Sequence, residues 1–494
     1  MKKNFLFCCC AGLLFAGMVS AQTPAADWQA GVDQLKELIK NDPEQAEDFA
    51  KDLIKGKNKK NLDLMVAVGE AYLEAKNFDE AEKYADKAGK VDRKDPQVFI
   101  LRGDIALARE DVGTACGYYE QAILFDPQCY EAYLKYARAY KAASPSQAID
   151  KLKQLKQIAP DYKEADKALA DVYYSNNRFG EAAEAYAAFI NTPVATERDL
   201  SNYAFALFLN HDFEKSLDIA LKGIEKNPKS AVFNRLAMYN YADLKRFPEA
   251  EQRAEVFFNE LKDVTYSSLD YRYHGVLLTA QSRYDDAVAS YKKAIELDSA
   301  ATAIWKDVSE VYETAGKYQE SIDAYQKYCE FLPSEEKTLE NDFQVGRLYY
   351  GWGTSTDTVA VTPDIRMAAL QKADSVFASV AGQAPDSYLG NMWRARTNSL
   401  MDPETTQGLA KPYYEKVVEM LLPKNDARYN TVLTECYSYL GYYFLLQSDY
   451  ATSTDYWNKI LAIDPNNAVA KRALDGIAAM KKQAAAAAAA AQQK

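Results

Sequence analysis

Small residues recur along this chain at a fixed separation, and an aromatic residue follows close behind each. One stretch reads GDIALAREDVGTACGYYEQAILFDP, with Gly103, Ala115, Tyr119, Ala122 and Pro127 at the recurring places. Another reads GVLLTAQSRYDDAVASYKKAIELDS, with Gly275, Ala287, Tyr291 and Ala294. Small and aromatic positions lie three and four apart, the spacing that keeps residues on one face of a helix. The pattern returns eleven times at a period of about 34 residues, which predicts about eleven antiparallel helix pairs and an all-α fold.

Repeat starts fall near residues 62, 96, 130, 163, 197, 231, 268, 302, 339, 388 and 434. The first helix of each pair carries a small residue, from Gly69 and Gly103 to Ala395 and Gly441, and Met238 is the one large exception. The second helix carries another, from Ala81 and Ala115 to Ala410 and Ser453, without exception. Small residues at both places let two helix backbones approach closely. The aromatics three positions after the first (Tyr72, Tyr140, Tyr173) and four after the second (Tyr119, Tyr186, Tyr291) then read as packing between helices. Prolines close many repeats, at Pro127, Pro160, Pro228, Pro333, Pro385 and Pro465. Proline stops one helix and suits the first turn of the next.

The ends and one interruption depart from this pattern. Residues 27–61 hold two further helices, split at Asp42-Pro43 by an aspartate cap and a proline at the first helical position, and they cap the array. Residues 62–338 make a regular array of about eight units. Residues 339–467 make variant units with an insertion at 351–364, GWGTSTDTVAVTPD, whose glycine, threonine and proline predict a loop or small hairpin. Its Trp352 either buries itself or reaches a partner. Residues 468–494 give a C-terminal capping helix, apolar at Val469, Ala473, Leu474 and Ile477, and then an alanine-rich tail.

The extreme N-terminus has a different character. Lys2 and Lys3 precede an apolar run from Phe5 to Val19, and Val19-Ser20-Ala21 offers small residues at a cleavage site. Residues 1–21 therefore read as a secretory signal peptide, with a mature chain starting near Gln22 in the periplasm or associated with the envelope. Cys8, Cys9 and Cys10 precede most of the apolar run, so they read as signal core and not as a lipid anchor. Among the remaining cysteines, a helix holds Cys116 and Cys129 about 20 Å apart, too far for a disulfide. Cys329 and Cys436 sit in distant repeats, so four buried free thiols are expected.

Composition narrows the chemistry. The net charge is −12, or −14 without Lys2 and Lys3, which disfavours nucleic acid as a partner. No later stretch approaches twenty apolar residues, so no membrane span is expected. The only histidines are His211 and His274, and no metal, phosphate-loop or nucleophile motif accompanies them. No enzyme activity, no metal and no cofactor are expected. The oligomeric state is left open.

The joined ladders of small and aromatic residues resemble the tetratricopeptide repeat family over about residues 62–467. The resemblance implies a right-handed α-solenoid of about eleven helix pairs with capping helices at both ends, whose first helices line a concave groove. The run GLAKPYYEK, Gly408 to Lys416, is similar to that of exported repeat proteins of Gram-negative bacteria. In the family's register the groove positions are the second, fifth, ninth, twelfth and thirteenth of each unit. Units five to seven place there Arg198, Phe205, Phe208 and Leu209, then Arg235 and Tyr239, then Leu269, Arg272 and Val276. Arginine forks onto carboxylates and aromatic rings add apolar area. The peptide-binding candidates are therefore Arg198, Phe205, Phe208, Arg235, Tyr239 and Arg272, with Trp352 as an insertion contact. An alternative use for the arginines is pairing with acids inside the solenoid. The first units present Asp63, Glu70, Asp104 and Glu131 instead.

The expected function is a non-enzymatic scaffold of the cell envelope that binds a protein or peptide. The alternative is a glycan-binding or nutrient-uptake accessory protein, which would need exposed tryptophans to stack on sugar rings.

Overall fold

The computed structural model describes residues 28–492. The expected signal peptide, with Cys8, Cys9 and Cys10, lies outside the described residues. All regular structure among them is helical, and the helices pack as consecutive pairs. The chain separates into two compact units at Leu236/Ala237. The division falls inside the sixth pair, within helix Ala231–Asp243.

The first unit opens with helices Gln29–Asn41 and Pro43–Leu53, where the Asp42 side chain accepts from Gln45 N–H and Pro43 begins the second helix. Its pairs are Leu62–Glu74 with Phe78–Val91, Pro96–Ala108 with Val112–Phe125, Tyr130–Tyr140 with Pro145–Ile158, Lys163–Ser175 with Phe179–Ala187, and Glu197–Leu209 with Phe213–Lys226. In the second unit Phe247–Glu255 is followed by Ser268–Ala280 with Tyr284–Leu297, Ile304–Thr314 with Tyr318–Phe331, Leu339–Thr354 with Pro363–Gln383, Leu389–Met401 with Lys411–Leu421, Asn430–Leu446 with Tyr450–Ile463, and finally Ala468–Gln492. Eight first helices begin at the residue the periodicity marks, and Ile304 and Leu389 fall within two residues of it. Asn430 starts four residues early.

The turns inside the pairs share a geometry that residue type does not announce. Lys76, Glu110, Asn177, His211, Lys245, Ser282, Gly316 and Ser448 all have positive φ, each two places before its second helix. The next N–H reaches five residues back, as Asn77 does to Tyr72 O and Asp111 to Ala106 O, both at 2.9 Å. This is the left-handed helix stop usually given to glycine, and only Gly316 is one.

Within each pair the packing follows the ladders. All eleven small residues of the second helices, from Ala81 to Ser453, are fully buried. Where serine takes the place, its hydroxyl donates to the carbonyl of the small residue facing it: Ser216 to Ala204, Ser321 to Ser309 and Ser453 to Gly441, at 2.7–2.8 Å. Where an aromatic stands sixteen residues after a first-helix glycine, its ring fills the space beside that glycine. A Cβ on Gly103 would stand 2.4 Å from the Tyr119 ring, and one on Gly441 would stand 2.8 Å from Trp457. Met238, the exception, is buried, and the position sixteen residues on is the buried Ala254.

One expectation is narrowed and two are corrected. The expected loop within residues 351–364 occupies 355–362, while Leu339–Thr354 runs through Gly351, Trp352 and Gly353 and the next helix begins at Pro363. Gly353 there admits a close neighbour, since a Cβ would meet Leu370 at 2.5 Å. The Arg366 guanidinium donates to Gly353 O and Ser355 O and closes the helix end. Cys116, Cys129 and Cys436 are buried free thiols, but Cys329 is half-buried at the margin of the small Ile322–Tyr325–Leu348 cluster. In the last helix Ala470 and Ile477 are buried while Val469 is exposed, so the packed stripe is rotated by one residue at its start. Among the described residues no helix is long and apolar enough to cross a membrane.

Successive first helices are tied by a polar ladder. Lys135 reaches Asp104 at 2.8 Å, Lys141 reaches Asp171 at 3.0 Å, and Lys167 reaches Asp199 at 2.8 Å. In the second unit Arg272 reaches Asp307 at 2.7 Å and Arg396 holds Glu435 through two bonds. Each bond spans 30–39 residues, about one repeat. Asp199 also accepts from the Thr196 N–H and hydroxyl at the start of its helix. Burial works against its charge, but the bonds from Lys167 and Thr196 outweigh that, so its carboxyl lies below the ordinary range.

Two outcomes test this account. Gly103→Ala should lower unfolding stability by about 1–3 kcal/mol, read from urea melts, because the added Cβ collides with a packed ring; an unchanged midpoint would break the packing argument. Asp199→Asn should cost about 1–3 kcal/mol at pH 7. A depressed carboxyl stabilises the fold above its unfolded value of about 3.9, and loses that contribution as pH falls through the folded value. The gap between variant and parent should therefore close on acidification below about pH 4, and a constant gap would show that the charge has no part in it.

Candidate functional site

The first-helix face of the first unit forms a cavity of about 480 Å³ across three consecutive pairs. Its walls come from Tyr130–Tyr140, Lys163–Ser175 and Glu197–Leu209, which the polar ladder holds side by side. Four cations line it: Arg138, Lys141, Lys167 and Arg198. Lys141 and Lys167 are already closed on Asp171 and Asp199. Arg138 and Arg198 are exposed, and neither guanidinium has an ion pair among the described residues. Glu164 lines the same cavity without an ion-pair partner among them, while Tyr186, Ala137 and Val172 give it an apolar floor. Such a site offers two forked donors over a partly apolar surface, which suits carboxylates on an extended segment.

The six groove candidates are divided between the two units, with Arg198, Phe205, Phe208 and Arg235 in the first and Tyr239 and Arg272 in the second. Arg198 is at this cavity. Phe208 is buried, with ring centres 6.0 Å from Phe205 and 5.8 Å from Phe213, and Phe205 is half-buried beside it. Arg235 is half-buried near the end of the first unit. Tyr239 and Arg272 belong to the second unit and are engaged there. Tyr239 is buried, donates to Asp270 at 2.7 Å and stacks on Tyr273 with ring centres 4.2 Å apart. Arg272 is held by Asp307 through Nε at 2.7 Å. Arg138 was not singled out from the sequence, although it takes the ninth position of its unit, the same register rule that selected Tyr239.

Toward the start of the unit the face is acidic. Desolvation, and then the charge of Asp104, push the Glu70 carboxyl above its usual range. Lys135 sits between Asp104 and Glu131, bonded to the first at 2.8 Å and 3.5 Å from the second.

The remaining candidates are packed. Trp352 is half-buried and stacks on Tyr318, with ring centres 6.4 Å apart. None of Trp28, Trp305, Trp352, Trp393 and Trp457 is exposed, so the described surface offers no open tryptophan for a sugar ring. His211 occupies a left-handed turn with its ring against Phe213. His274 Nδ1 lies 2.8 Å from Ser290 Oγ, but Ser290 is only 7% exposed, which denies a substrate access to the hydroxyl. Burial pushes the Cys116 thiol to about 11 and the Cys436 thiol to about 12, so both stay protonated and unreactive at neutral pH.

Both family matches fall on stretches of paired helices. Tetratricopeptide repeat descriptions match residues 37–105 and 274–336. No curated protein matches the chain. Among solved structures, the C-terminal part of a tetratricopeptide repeat-containing protein from Cytophaga hutchinsonii is similar at 27% identity, covering 56% of this chain and 99% of that one, with a TM-score of 0.45. A tetratricopeptide repeat protein from Parabacteroides merdae is similar at 16% identity, covering 48% of this chain and 93% of that one, with a TM-score of 0.33. No catalytic family is indicated, and tetratricopeptide repeat proteins generally act as protein-binding scaffolds. The two family matches and the run of helix pairs support the tetratricopeptide repeat family for this chain.

Proposed function

We propose that this protein is a non-enzymatic scaffold of the cell envelope that captures an acidic segment of a partner protein on the first-helix face of residues 130–209. The observation that carries the reading is the pair Arg138 and Arg198, which line one cavity while the lysines between them are closed on acids. A guanidinium left open beside apolar surface binds a carboxylate through charge-assisted hydrogen bonds, each contributing about 1.5–3 kcal/mol. The envelope location rests on the charged start, the apolar run and Val19-Ser20-Ala21.

An array of immobilised peptides of graded charge tests the binding. Acidic peptides should be retained by the parent and lost on Arg138→Ala with Arg198→Ala, at an unchanged melting temperature. Arg272→Ala should instead lower the melting temperature and leave retention per folded molecule intact. Retention without preference for acidic peptides, or survival of binding in the double variant, would refute the site. N-terminal sequencing of protein from the envelope fraction tests the location independently. A start near Gln22 is expected, and an intact Met1 or a lipidated cysteine would overturn it.

A further inference from the structure

A second cavity, of about 420 Å³, lies in the second unit and takes no part in the site above. It begins where helix Phe247–Glu255 widens into a π-turn at Val256–Glu260. The turn ends the helix, with Leu261 extended after it, and π-turns are frequent at functional sites. Here Phe257 is fully buried and Phe258 is half-buried beside it. Phe258 stacks on Tyr266 with ring centres 5.3 Å apart, and meets Tyr271 at 5.6 Å and His274 at 4.6 Å. All four rings are only partly covered. On helix Ser268–Ala280, His274 and Arg272 are two residues apart, about 200° around the axis, so the cavity opens on a different face from the polar ladder.

The charged groups that line the cavity are two carboxylates and one guanidinium that is already paired. Glu251 and Glu255 line the cavity and are exposed, and Glu255 is steadied by the Asn259 amide at 2.8 Å. Arg283, the cation that lines it, is closed on Asp286 through Nε at 2.9 Å and its terminal nitrogen at 2.7 Å. His274 spends Nδ1 on Ser290, and burial, then the charge of Arg283, hold its pKa below the ordinary value, so the ring is neutral at pH 7. Aromatic faces attract cations through their quadrupole, and a long basic side chain lays its alkyl stem along apolar surface while keeping its charge at the rim.

We infer that this cavity is a subsite for a lysine or arginine side chain of a partner polypeptide, with the stem on Phe258, Tyr266 and Tyr271 and the charge at Glu251 and Glu255. The net charge of −12 favours approach of such a partner. The subsite stands or falls separately from the acidic-segment site, which uses other residues and the opposite charge.

The two histidines of the chain make the test clean. Selective ¹⁵N-histidine labelling gives ring signals for His274, at the cavity, and for His211, an internal control. Nα-acetyl-arginine amide and Nα-acetyl-lysine amide should shift the His274 signal saturably and leave His211 in place. Glu251→Gln with Glu255→Gln should weaken that response about tenfold, with the His211 signal and helical content as in the parent. Added salt should weaken it further. No saturable shift, or an equal response to the neutral Nα-acetyl-norleucine amide, would overturn the proposal. Tighter binding of choline than of either side-chain probe would overturn the polypeptide as the source of the cation.

Discussion

The close approach of the two helices in each pair is the constraint on which everything else rests. Gly103 against Tyr119, Gly275 against Tyr291 and Gly441 against Trp457 are the same contact, in which a ring fills the space that a missing side chain leaves. Because the ring lies sixteen residues after the glycine, the contact fixes the register between the helices as well as their distance. That register decides which side of each first helix faces its partner and which side remains for its neighbours. The serine variants keep the same geometry, since their hydroxyls find the facing carbonyl and leave no buried donor unmet.

Once the pairs are set, electrostatics selects what the first-helix face can do. A cation on one first helix and an acid on the next come within bonding distance because the helices stack about one repeat apart. Lys141, Lys167 and Arg272 are used in this way. The proposed binding rests on what the ladder leaves over, which at the cavity of the first unit is Arg138 and Arg198. A basic residue on such a surface is informative only after its neighbours have been counted.

The sequence showed where the pairs lie more fully than how their edges are built. Eight first-helix starts coincide with the periodicity, and the Asp42-Pro43 break is where cap and proline placed it. The insertion was legible as a loop over 355–362, but its first residues were not, because Gly353 makes room for Leu370 inside a lengthened pair. The π-turn at Val256–Glu260 has no signal in glycine or proline, and so neither did the aromatic cavity beyond it. Arg198 was legible from register alone. Tyr239 and Arg272 were not legible as engaged groups, because their partners Asp270 and Asp307 lie 31 and 35 residues away. With 71 acidic residues in the chain, spacing alone does not single out an ion pair.

The sequence by itself determined the repeat length, the paired helices and the buried ladders, because small size and aromatic bulk act through local period and need no knowledge of distant residues. It also set the overall charge. The tertiary structure alone decided which cations stay open, which rings stay partly exposed, and that lysine, glutamate, asparagine, histidine and serine all take the left-handed turn as glycine does. Those outcomes depend on contacts between helices. There the packing of a whole pair outweighs the about 1 kcal/mol preference of a single residue, and a side chain's partner is chosen by geometry that no single repeat contains.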